Sequence, residues 1–291
     1  MTERLAILKT YKLYIGGKFP RTESNRYYQV TSAKGKLLAN ASRGSRKDIR
    51  DAVVAARKAF SDWSGRSAFN RGQILYRAAE MLESHAQTFI DEIMAITGKT
   101  KKQAGDEVTA SIDRLVWYAG WADKYMQLFS TVNPVATKYW NFTYPEPTGV
   151  VGIICPDEMP LLGMVSKVAP AVVSGNTCVV IASETNPLTP ITFSEVIATS
   201  DFPGGVINII TGFKSELCGP LATHMDVNAI DYSGQDEKTI SSLQEAAATN
   251  VKRVVIRRTP HGNDWLGDTS QSPYWIEPLV EMKTAWHPVG S

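Results

Sequence analysis

Between Gly149 and Gly212 the chain alternates short apolar runs with apolar helical stretches: Val150 to Cys155, Met159 to Ser174, Thr177 to Ile181, Leu188 to Thr199 and Val206 to Thr211. Apolar runs of five or six residues set between turn residues predict strands, and the longer stretches predict helices. A βαβαβ alternation with nearly continuous apolar strands forces a parallel sheet covered on both faces. Gly175 with Asn176 predicts a helix stop, because the left-handed conformation costs glycine nothing. Phe-Pro-Gly-Gly at 202 to 205 breaks the chain before the third strand. The fold class is therefore α/β, a doubly wound core whose loops form the natural binding crevice.

On the N-terminal side, KLYIGGKF at 12 to 19 predicts a hairpin, since Gly-Gly supplies positive φ for a tight turn. Gln29 to Ala41 carries a weaker strand signal. From Ser45, the positions Ile49, Val53, Ala56, Phe60 and Trp63 recur at spacings of three and four, so a helix starts there with Ser45 or Asp48 supplying first-turn capping. A second helix is expected from Arg71 to Ile96 and a third from Lys102 to Leu128, each with one apolar face. The segment 130 to 147, rich in Thr, Tyr, Trp and Phe and bracketed by prolines, predicts a strand or hairpin whose aromatics need a partner surface.

After the core the alternation continues with helix 215 to 223, strand 227 to 232, helix 236 to 249 and strand 253 to 257, and then stops. Residues 258 to 274 are polar and turn-rich, a loop; 275 to 289 alternate in polarity and predict a last strand. A 291-residue chain that is 43% apolar buries a large core. Its formal charge of +2 comes from cations scattered along helices, which leaves no footprint for nucleic acid. No run reaches the ~20 apolar residues of a membrane span. The polar start MTERLAILKTYKL does not look like a signal peptide, so a cytoplasmic location is expected. Cys155, Cys178 and Cys218 lack any CxxC or paired-His context, which disfavours zinc and fits a reducing compartment. His85, His224, His261 and His287 are scattered without acidic or thiol partners at a telling spacing.

The runs ARKAF (56 to 60), ITGK (96 to 99), YAGWADK (118 to 124), PEPTGVVGII (145 to 154), APAVVSGNTCVV (169 to 180), SETNPL (183 to 188), FPGGVINIITG (202 to 212), VKRV (251 to 254) and VEMKT (280 to 284) resemble the NAD(P)-dependent aldehyde dehydrogenases in order and spacing. The resemblance implies a Rossmann-like, mostly parallel nucleotide-binding domain, here 1–130 with 149–257. It also implies a small β oligomerisation arm, here 131–148 with 275–291. In that family a catalytic domain with the nucleophilic cysteine follows the strand matching 252 to 257. Here the loop 258–274 stands in its place, too short to contain a domain.

The resemblance also implies NAD or NADP as cofactor, with Ser183, Glu184, Gly234 and Ile154 at the positions that would hold it. Several other positions depart from the family's pattern. Glu158 stands where an asparagine donates to the oxyanion, and a carboxylate there repels developing negative charge. Ile181 replaces the ribose-gripping lysine. Gln235, Asp236 and Thr239 replace or oppose the phosphate-binding segment after Gly234. Arg257 falls on the general-base glutamate, and an arginine never accepts a proton from water. Glu158 and Arg257, at neighbouring strand ends, are expected to neutralise each other. Cys155, the one cysteine at a strand end facing the crevice, lies beside Asp157 and Glu158, whose charges would raise its pKa.

No catalytic residue is assigned on these grounds. The expectation is a catalytically silent aldehyde dehydrogenase relative that forms homo-oligomers or pairs with a full-length aldehyde dehydrogenase. The alternatives are an NAD(P)-dependent oxidoreductase acting on an aldehyde, alone or in a hetero-complex, and a nucleotide-binding module without chemistry.

Overall fold

The computed structural model describes residues 8–258 and 265–290. The polar start up to residue 7, His261 and the Thr259-Pro260 part of the connecting loop lie outside the described residues. The chain runs β1 (Thr10–Tyr11), β2 (Tyr27–Thr31), β3 (Leu37–Ser42), α1 (Arg46–Gly65), α2 (Ala68–Ser84), α3 (Ala86–Thr97), α4 (Lys101–Trp121), α5 (Tyr125–Phe129), β4 (Thr131–Asn133) and β5 (Tyr139–Pro147). It continues β6 (Val150–Ile154), α6 (Leu162–Val173), β7 (Thr177–Ile181), α7 (Leu188–Ala198), β8 (Ile207–Ile210), α8 (Lys214–Ala222), β9 (Ala229–Ser233), α9 (Glu237–Ala248), β10 (Arg253–Arg257) and β11 (Val280–Pro288).

Five parallel strands in the order β10-β9-β6-β7-β8 form the central sheet. The chain enters at β6, walks outward through β7 and β8, and returns to the other side of β6 for β9 and β10. The switch point therefore lies between the carboxyl ends of β6 and β9, the general ligand position in such sheets. Strand alternation assigns the two faces. Val150, Ile154, Val179, Ile181 and Ile210 pack against residues of α1, α8 and α9, while Val151, Ile153, Cys155, Cys178 and Val180 share the core of α2, α4, α6 and α7. The edge of β8 is closed by Tyr14, which exchanges both backbone hydrogen bonds with Ile209 at 2.9 and 2.7 Å. Ile15 pairs with Lys18 across Gly16-Gly17, both at positive φ, so the expected turn forms as isolated bridges.

Three expectations need correction. The helix expected from Arg71 to Ile96 is two, because the chain turns at His85, whose ring Nδ1 sits 2.8 Å from the Met81 carbonyl at the end of α2. An unbroken apolar stripe hid the break, since both pieces bury their faces in the same core. The helix expected up to Leu128 ends at Trp121, with α5 a separate turn. The last strand begins at Val280, and residues 268–279 form short 3-10 turns around Pro273 and Pro278. Ser45 and Asp48 both act, as a reciprocal capping box at the start of α1.

The aromatic-rich segment is the hairpin β4-β5, and β11 adds on the other side of β5 over its whole length, Val280 opposite Pro147 through Pro288 opposite Tyr139. Tyr139, Trp140 and Trp286 remain exposed on this arm, whereas Phe142 and Tyr144 are half-buried.

Candidate functional site

The loops that leave the carboxyl ends of β6, β7 and β8 meet around one side chain, Asp157. Its Oδ1 accepts from the Ser183 hydroxyl (2.8 Å) and the Glu184 amide (2.7 Å), and its Oδ2 pairs with Lys214 Nζ at 2.6 Å. Asn186 Nδ2 donates to its carbonyl at 2.7 Å. Burial pushes the Asp157 carboxyl up, but the Lys214 ammonium and these donors outweigh it and hold the group below the usual carboxylate range.

Three of the helix starts at this end of the sheet, those of α6, α8 and α9, are closed by the chain's own carboxylates. The first amides at α6, Leu161 N and Leu162 N, donate to Glu107 Oε1 at 3.1 and 3.4 Å, while Glu107 Oε2 pairs with Lys99 at 2.8 Å. The first amide of α8, Lys214 N, donates to Glu184 Oε2 at 2.7 Å. At α9, Asp236 is the N-cap and accepts from Thr239 N at 3.0 Å. Free amides and the helix dipole make such termini anion sites. Here the anion is built in.

Deeper, a buried ion cluster joins β9, β10 and α6. Lys167 Nζ lies 3.1 Å from Asp231 Oδ1 and donates to the carbonyls of Ile154 (2.7 Å) and Asp231 (3.0 Å) and to Ser233 Oγ (3.0 Å). Arg257 closes on the same carboxylate, with Nε donating to Oδ2 at 2.8 Å and a terminal nitrogen to it at 2.7 Å. Burial pushes the Asp231 carboxyl up, but Arg257 and Lys167 overcome that and hold it below its ordinary value. Burial pulls the Lys167 ammonium down, against the attraction of Asp231.

The Arg257 guanidinium is covered by the Trp275 ring, 3.9 Å to the centroid, and Trp275 meets the wholly buried Trp265 edge-on. Arg114 donates to Ser166 Oγ (2.5 Å) and to the Trp265 carbonyl (2.9 Å), and the Tyr118 hydroxyl to the Ser272 carbonyl (3.1 Å). The segment after residue 264 is thus packed onto the end of the sheet as a fixed cover.

The expected pairing of Glu158 with Arg257 does not form. Arg257 is taken by Asp231, and Glu158 turns its Oε2 to the Asp157 amide at 3.1 Å. The buried carboxylate wins because its desolvation cost is larger and only a cation in contact offsets it. Cys155 does not face the crevice either. It is fully buried, on the strand face that packs against α6, and burial pushes its thiol up to about 12, with Asp157 adding a smaller push the same way. Burial also raises Cys178 far above its usual range and Cys218 to about 11.

The four residues expected to hold a cofactor lie around this crevice in different states. Ser183 and Glu184 come together through Asp157. Ile154 is buried, its carbonyl engaged by Lys167. Gly234 has its open side filled by Tyr232, whose hydroxyl occupies the space of a side chain at 234. Beyond them, between α8 and α9, lies a cavity of about 540 Å³ lined by Lys214, Cys218, Tyr232, Lys238 and Thr239. Sequence reasoning missed Asp231, Lys167 and Lys214. The available signal was a single charge inside each apolar run, Lys in VSKVAPAVV and Asp in AIDY.

The profile of the aldehyde dehydrogenase family matches residues 19–258. The chain belongs to the aldehyde dehydrogenase family. Among curated relatives it is 33% identical to omega-crystallin of Enteroctopus dofleini over 251 residues, 84% of this chain and 50% of that protein. It is 33% identical to the putative aldehyde dehydrogenase DhaS of Bacillus subtilis, covering 85% and 50%. Among solved structures, PnpE from Pseudomonas sp. WBC-3 superposes with a TM-score of 0.83 at 29% identity, covering 87% of this chain and 52% of that one. The NAD+ complex of the aldehyde dehydrogenase from Bacillus cereus superposes with a TM-score of 0.81 at 27% identity, covering 86% and 51%. The chain spans about half the length of the curated relatives it matches. Aldehyde dehydrogenase relatives thus share the Rossmann-like sheet, and the family match stops at Arg258, where the connection to β11 begins. Among the described residues no helix is long and apolar enough to cross a membrane.

Proposed function

We propose that this chain is a catalytically silent aldehyde dehydrogenase relative that works through its arm, as a homo-oligomer or as the partner subunit of a full-length aldehyde dehydrogenase. The observation that carries this reading is the closure of the α6, α8 and α9 starts by Glu107, Glu184 and Asp236. A dinucleotide's pyrophosphate would meet a carboxylate at each of these three helix starts. Two further features support it. Arg257, at the position of the family's base, is engaged with Asp231. Each of the three cysteines has its thiol held protonated by burial.

In this proposal 1–130 and 149–257 form the nucleotide-binding-type domain, 131–148 and 275–291 the oligomerisation arm, and 258–274 the connection in place of a catalytic domain. The arm is where unmet surface remains. Trp286 is 58% and Trp140 52% exposed, and large exposed aromatics at the centre of a patch are what protein interfaces cover.

The second reading, an NAD(P)-dependent oxidoreductase acting on an aldehyde, is favoured by the α8/α9 cavity, whose Lys214, Lys238 and Tyr232 suit an adenine nucleotide. Light scattering on the purified chain, alone and mixed with a full-length aldehyde dehydrogenase, decides the first reading. The expected result is an oligomer or a mixed complex, and a monomer in both conditions overturns it. Aldehyde-dependent NADH formation by the chain alone would instead establish the second.

A further inference from the structure

Away from the crevice, at the opposite side of α8, a cleft of about 660 Å³ runs between the start of α1 and the end of α8. Arg26, Arg46, Lys47 and Arg50 line it, with Glu23 the single acidic group in the lining. Three of these cations lie on the first turns of α1, and the fold brings Arg26 beside them. Lys47 reaches Glu23 at 3.7 Å and Arg50 pairs with its neighbour Asp51, both on the exposed surface, so the cleft keeps an excess of positive charge.

Arg26 also lines an adjoining polar cavity of about 300 Å³ with Arg21, Thr22, Asn40 and Ser42. The Asn40 Oδ1 there is buried and has no hydrogen-bond partner. An orphaned buried acceptor costs free energy until a donor meets it. The cations themselves sit against the helix dipole. Arg46, Lys47 and Arg50 occupy the first turns of a 20-residue helix, where carboxylates are favoured and cations are not.

We propose that this cleft binds a small molecule carrying two or more linked phosphates, with the Arg46, Lys47, Arg50 and Arg26 side chains on the phosphates. The volume fits a metabolite rather than a polymer. Guanidinium groups suit phosphate through paired N–H donors.

The test is calorimetry at low salt on the full chain with inorganic tripolyphosphate and, separately, ATP, comparing the native protein with Arg46→Gln/Arg50→Gln. Tripolyphosphate is expected to bind the native protein and to bind the double variant at least about tenfold more weakly. The unliganded variant should melt no lower than the native protein, because two cations leave the positive helix end. Lys238→Gln, in the α8/α9 cavity, should leave tripolyphosphate affinity unchanged. ATP binding that falls in step with tripolyphosphate in the double variant identifies a nucleotide as the source of the phosphates; ATP binding that does not identifies a non-nucleotide polyphosphate. No tripolyphosphate binding by the native protein, or equal binding by the double variant, overturns the proposal.

Discussion

The crevice at the end of the central sheet and the three-stranded arm solve opposite problems. In the crevice the polar groups are satisfied by the chain itself, Lys167 and Arg257 on Asp231, Lys214 on Asp157, and carboxylates on three helix starts. On the arm, Tyr139, Trp140, Trp286, Val132 and Met282 stay in solvent, and β11 is paired only to β5. A site that binds leaves something unmet, because a ligand gains only from groups that lack partners. By that measure the three helix starts are met from within, and the arm is open.

The largest expected effect breaks the crevice. Asp231→Asn leaves Lys167 and Arg257 facing each other without a counter-charge, and breaking such a buried cluster costs about 3–5 kcal/mol. Urea unfolding at neutral pH measures it. Because Asp231 is held below its unfolded value, the folded state binds fewer protons than the unfolded chain near pH 4. Its stabilisation is therefore full above that range and lost as pH falls through the folded pKa. The Asn variant should show a shallower decline on the acid side. An unchanged acid limb would mean that Asp231 is not the group that sets it.

The next effect sharpens the arm. Trp140→Ala/Trp286→Ala should leave the urea midpoint of the isolated chain nearly unchanged, since both rings are already exposed. Association should weaken by at least about 2 kcal/mol, the scale of an aromatic hot spot, read as dissociation on dilution in light scattering. A large loss of stability with unchanged assembly would show that the aromatics serve the fold of the arm rather than a partner.

A smaller effect probes a single helix start. Glu107→Gln keeps an acceptor for Leu161 N and Leu162 N but removes the charge that meets Lys99, so it should cost about 1–2 kcal/mol. Thermal unfolding of the variant checks it. No change would mean that α6 is held by packing alone.

Much of this contrast was legible in the sequence, and the limit is physical. The βαβαβ alternation, the Ser45 cap, the hairpin with β11 beside it and the order of the family motifs were all local or periodic signals, which side-chain pattern carries directly. Asp157, Asp231 and Lys167 were not, because their roles depend on which loop or strand lies opposite, 26 to 64 residues away in the chain. Glu158 was paired with Arg257 on strand position alone, while the fold placed a fully buried carboxylate nearer. The gathering of Arg26 with Arg46, Lys47 and Arg50 escaped for the same reason: along the chain they look like solvated faces of separate elements, and the cleft exists only once β2 and α8 are docked on α1. His85 shows the converse, a break that an amphipathic stripe conceals.

The smallest effect bears most directly on why the crevice is closed. Asp236 caps α9 through Thr239 N and carries a full negative charge at the point where the sheet would offer amides to phosphate. Serine is as good an N-cap, so Asp236→Ser should keep the melting temperature while removing the charge. If the built-in carboxylates are what exclude a pyrophosphate, NAD should bind this variant about two- to fivefold more tightly than the native chain, the strength expected of one charge at a helix terminus. Calorimetry with NAD and with adenosine separates the possibilities. A gain for NAD and not adenosine places the exclusion at the phosphates; equal affinity in the two proteins would assign the closure to Tyr232 over Gly234, a steric barrier that no change of charge removes.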